Sequence, residues 1–70
     1  MVWDGDPRRG TVLVLARFGA QDYETARAVA TAWAGRYPEL TLGEASPGQP
    51  PRVLACWRGG LPQPVESALP

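Results

Sequence analysis

Thr11-Val12-Leu13-Val14-Leu15-Ala16-Arg17-Phe18 is the stretch on which the fold turns. It is β-branched and apolar almost throughout, which predicts a strand with both faces in need of cover. Gly19-Ala20 ends it. Beyond that break, Tyr23, Ala26, Ala30, Trp33 and Tyr37 recur three and four residues apart, with Val29 beside them. That spacing puts one apolar stripe on a helix running from Asp22 to about Arg36. Asp22 stands where a helix N-cap is expected, and Glu24 adds negative charge at the positive helix end. Pro38 stops the helix, because it cannot donate to the ladder and pushes Tyr37 toward extended geometry.

Outward from this pair, the chain offers two further strands. Glu39 to Ala45 alternates Leu40 and Leu42 against Thr41 and Gly43, and Ser46-Pro47-Gly48-Gln49-Pro50 reads as a turn. Arg52 to Arg58 is the third strand, ended by Gly59-Gly60. The first ten residues, with Asp4-Gly5-Asp6-Pro7, read as a loop or short lead-in. Residues 61–70 hold three prolines and read as an irregular tail, with a helical turn expected at Val65 to Leu69. A single domain over residues 1–60 follows.

The order β-α-β-β predicts an α+β two-layer sandwich. A right-handed crossover leaves the second strand parallel to the first, and the third returns antiparallel. Apolar character on both faces of the third strand suits a central place, so the expected order is 1-3-2 with the helix on one face. The topology resembles half of a ferredoxin-like sandwich. That likeness is one of topology and carries no function.

Alternation along each strand sorts residues by parity. Val12, Val14, Ala16, Phe18, Val53, Ala55, Trp57, Leu40 and Leu42 fall to the helix side. Trp33 on the helix should bury against them, contributing about 3 kcal/mol or more, so Trp33→Ala is expected among the most damaging changes. The opposite face collects Thr11, Leu13, Leu15, Arg17, Arg52, Leu54, Cys56 and Arg58, with Glu39 and Thr41. One helix cannot cover both faces, and a leucine patch of this kind is rarely left in water. Three covers are available: a second copy of the chain, the terminal segments with Trp3, Leu61, Val65 and Leu69, or a foreign partner.

Size favours the first. In a 70-residue chain, ordering entropy of roughly 1.5 kcal/mol per residue nearly cancels apolar burial. One cysteine allows no internal disulfide, and with no histidine a zinc site has too few ligands. Self-association is the remaining route to extra stability.

Composition also limits the chemistry. There is no histidine and no lysine, so no imidazole shuttles protons and no amine forms a Schiff base. Alanine, glycine, proline and arginine abound while isoleucine and asparagine are missing, a bias that points to a GC-rich genome, bacterial or phage, and explains the lysine gap. The charge is balanced at zero, which argues against nucleic-acid binding. No leader is visible after Met1 and no run spans a bilayer, so a cytoplasmic location is expected.

Asp4 and Asp6 resemble the start of a calcium loop but lack its remaining ligands, and a solvated turn is the better reading. Cys56 reads as an inert, partly buried thiol. Arg17, Arg52 and Arg58 are the expected cations of the open face, rimming a patch of Leu13, Leu15 and Leu54. These six are the expected interface residues. No catalytic group, metal or cofactor is assigned. The preferred function is a small binding or regulatory module that self-associates through the second sheet face and engages a macromolecular partner, with phage- or defence-related targets among the candidates. The alternatives are an enzyme or enzyme subunit using Glu39, Glu44, Arg52 and Arg58 in a subunit cleft, and a nucleic-acid-binding oligomer.

Overall fold

A computed structural model describes residues 1–65, the side chain of Ala20 excepted. The fold is α+β, with five strands rather than three. β1 (Val2–Asp4), β2 (Leu13–Ala16), β3 (Glu39–Glu44), β4 (Arg52–Arg58) and β5 (Leu61–Gln63) form one antiparallel sheet in the order β2-β1-β3-β4-β5. α1 (Tyr23–Trp33) follows a 3₁₀ turn at Ala20–Asp22 and tightens into another at Ala34–Arg36 before Pro38. The helix boundaries thus agree with the sequence reading. Asp22 occupies the N-cap position but makes no capping bond with its side chain.

The expected order 1-3-2 does not hold. β2 and β4, the first and third expected strands, are not neighbours, because both β1 and β3 lie between them, so β3 rather than β4 is the middle one of the three expected strands. Antiparallel pairing of β1 with both leaves β2 and β3 parallel to each other, as a helical crossover requires. The segment expected to be a loop is therefore an inner strand. Three residues are too few to show a period, yet they fill both faces. Val2 is fully buried on the helix side and Trp3 is 4% exposed on the other. The tail is not wholly irregular either, since Leu61–Gln63 adds β5 beyond the Gly59-Gly60 turn. The helical turn expected at Val65 to Leu69 lies outside the described residues beyond Val65.

The core lies between α1 and the sheet. Ala26, Ala30 and Ala34 present only methyl groups, which lets the helix lie close on Val2, Leu40, Leu42 and Trp57. Leu15, Ala16, Phe18, Trp33, Tyr37 and Ala55 pack around this cluster. Trp33 is half-buried, whereas Trp57 is 6% exposed.

Two irregularities in the ladders control which side chains face where. Val2 pairs with Ala16 and Trp3 with Val14, so Leu15 is an extra residue. Leu42 pairs with Ala55 and Gly43 with Val53, so Leu54 is an extra residue. A one-residue insertion moves every position beyond it to the other face. Val14 and Val53, expected on the helix side, therefore stand on the open side with Trp3 and Gly43. Arg52, opposite Glu44, falls on the helix side. Gly43 is required at this junction: a Cβ there would collide with the Arg52 carbonyl and press on the Trp3 ring, whose Cζ3 lies 3.0 Å from that position.

Gly43→Ala is expected to destabilise the fold by about 2 kcal/mol or more in urea titration. Gly35→Ala, with open space around its Cβ position, should be neutral or stabilise by up to about 1 kcal/mol. In the same assay Trp57→Ala should cost about 3 kcal/mol or more and exceed Trp33→Ala.

Candidate functional site

The chain leaves β2 at Ala16, and Arg17-Phe18-Gly19 carries it into the turn before α1. At this corner the helix start stands off the sheet and leaves a cleft of about 290 Å³. Its floor is Ala26 and Leu42, where the small alanine leaves the space. Phe18, Tyr23 and Leu54 wall it, and Arg17, Glu44, Ser46 and Met1 stand at its rim. The Met1 ammonium donates to the Gly43 carbonyl at 2.8 Å. Burial lowers its pKa, and the Glu44 carboxylate works in the opposite direction. Glu44 also faces Arg52 at 3.9 Å, a loose pair between exposed side chains. Arg17 makes no ion pair among the described residues.

A second polar cluster lies on the open face. The chain turns over this face after β1, where the Thr41 hydroxyl donates to the Gly5 carbonyl at 2.6 Å. Asp6 then accepts the Arg8 backbone N–H at 2.9 Å, and Arg9 N–H closes a β-turn on the Asp6 carbonyl at 3.0 Å. Pro7 fits the second position of that turn and Asp6 its first. Asp6 is only 4% exposed, and the Arg8 guanidinium grips its carboxylate, with Nη2 at 2.6 Å from Oδ2. The expected turn is there, but Asp6 is not solvated in it. The Arg8 hydrogen bonds hold the Asp6 pKa below its ordinary value against the opposing effect of burial. Beside this pair, Glu39 Oε2 accepts from Arg9 Nη1 at 3.4 Å and from Arg58 Nη2 at 3.2 Å. Cys56 is half-buried on the same face, its thiol 3.8 Å from the Gln63 carbonyl.

Comparison with protein-family models, curated proteins and solved structures finds no match.

The six residues expected to frame one patch do not share a face. Leu13 lies in the row of Asp4 and Leu40, on the helix side of the sheet edge, and is 71% exposed. Leu15 packs against the helix-side core. Arg17 and Leu54 meet in the cleft at the helix start, and Arg52 stands close by through Glu44. Arg58 alone occupies the open face. The two ladder irregularities account for Leu13, Leu15, Arg52 and Leu54, whereas Arg17 lies past the end of β2, where strand alternation no longer applies. The four groups of the enzyme alternative are also divided. Glu39 and Arg58 pair at one end of the β3–β4 ladder on the open face, and Glu44 and Arg52 at the other end on the helix side.

Sequence reading missed Arg8 and Arg9 as partners of Asp6 and Glu39, and missed Phe18 and Tyr23 as cleft walls. One available signal was Gly43, since a glycine inside a strand often marks a bulge. The insertion at Leu15 has no such marker.

Asp6→Asn should destabilise the protein by about 1 kcal/mol at neutral pH, a figure discounted for the part-exposed Arg8 partner. Because the folded-state pKa is lowered, the carboxylate's contribution is complete above the unfolded value. It fades as pH falls toward the folded one. Denaturant unfolding of both proteins should therefore give a gap at pH 7 that closes on acidification below the ordinary carboxylate range.

Proposed function

We propose that this chain is a non-catalytic binding module that presents the open face of its sheet to a macromolecular partner, and that the first such partner is a second copy of itself. The observation that carries this reading is the mixture of groups exposed on that one face. Leu61 is 67% exposed in the row of Glu39 and Arg58, and Val14 is 42% exposed in the row of Trp3 and Thr41. Between them Arg9 and Arg58 extend from Glu39 with side chains 65% and 58% exposed. Arginine beside isolated apolar groups is the composition favoured at contact surfaces. The small size of the chain makes added burial worth having. Both acidic groups of this cluster are held by arginines, and Asp6 is kept ionised, which suits structure and recognition better than proton transfer. Regulation of a larger assembly in a bacterial or phage setting is the use that fits such a module.

Sedimentation velocity across a concentration series tests this. A dimer with a midpoint in the micromolar range is expected, equivalent to about 8 kcal/mol. Leu61→Arg and Arg58→Glu should return it to monomer, while Leu13→Arg, on the helix side, should not. A monomer at every concentration, or a dimer indifferent to Leu61→Arg, overturns self-association through this face.

A further inference from the structure

We propose that the cleft at the start of α1 is a binding site for a small organic monocarboxylate with a compact apolar or aromatic body. This inference is independent of the open-face reading, since the cleft lies on the helix side of the sheet. Its interior is apolar, with Ala26 and Leu42 below and Phe18, Tyr23 and Leu54 around. A volume of about 290 Å³ stands at the lower end of the range for small-molecule sites, which suits a single ring or short chain rather than a nucleotide.

The charge at the rim selects the other end of the ligand. Glu44 already faces Arg52 and has the Met1 ammonium near it. Arg17 has no ion-pair partner among the described residues. It is therefore the uncommitted charge of the cleft, and its planar fork matches a carboxylate with two parallel hydrogen bonds. An apolar body placed on Ala26 and Leu42 leaves its carboxylate at the mouth, where Arg17 stands. The arginines of the open face are engaged by Asp6 and Glu39, and the outer surface of α1 around Arg27 and Thr31 is shallow.

The probe for this site is 3-phenylpropanoate, with 3-phenylpropanamide as its uncharged counterpart, each titrated into the labelled protein and followed by amide chemical shifts. The acid should give saturable shifts confined to Phe18, Tyr23, Ala26 and Leu54, with a dissociation constant at or below the millimolar range. The amide should bind roughly tenfold more weakly, and Arg17→Gln should weaken the acid by a similar factor. Arg17 is exposed, so the variant keeps the fold, and its own spectrum verifies this. Arg17→Lys should retain part of the affinity. The proposal is overturned by an absence of saturable shifts up to about 10 mM, by equal binding of acid and amide, or by shifts centred on Arg9 and Arg58.

Discussion

The close approach of Gly43 to the Arg52 carbonyl is the constraint on which the rest of this structure depends. A strand of regular alternation has no place where two backbones come so near. At this point β3 lacks a side chain, β4 gains Leu54, and the Trp3 ring lies across the vacancy. The same junction sends Arg52 to the helix side and Val53 to the open side. It also turns Leu54 toward α1, where it becomes a wall of the cleft. One missing methyl group thus decides which residues β4 contributes to each surface at this end of the sheet.

The helix and the two strands that flank the turn at residues 46–50 were legible because each is long enough to display its period. Tyr23 through Tyr37 repeats over several turns, and Pro38 gives a hard stop. Glu39–Glu44 and Arg52–Arg58 carry apolar runs bounded by proline and glycine. β1 and β5 were not legible for the opposite reason. Val2–Asp4 and Leu61–Gln63 are three residues each, and their stability comes from a neighbouring strand rather than from any local preference. Their place in the sheet is a tertiary fact.

The candidate site was hidden for a different reason. Parity is reliable only while the ladder stays in register, and an error of one residue inverts every assignment beyond it. Leu15 and Leu54 are both leucines and both insertions, and nothing in a leucine announces that role. Arg17 and Leu54 come together in the cleft, and Arg58 joins a charged cluster with Glu39. Which residues are charged and which apolar can be read from the sequence, while the geometry that distributes them between two faces cannot.

The position of β1 has a consequence for how the chain acquires its shape. β3 and β4 are joined by a short turn and can pair as soon as both exist. Val2, by contrast, must meet Leu42 about forty residues further along, a closure that costs entropy before it returns any contact. β2 follows close behind β1 and can pair with it locally, whereas the β3–β4 hairpin must reach it from beyond the helix. Trp3 shares its row with Val14 on β2 and Thr41 on β3 and lies against Gly43, so its burial depends on β2, β1 and the hairpin being joined in one sheet.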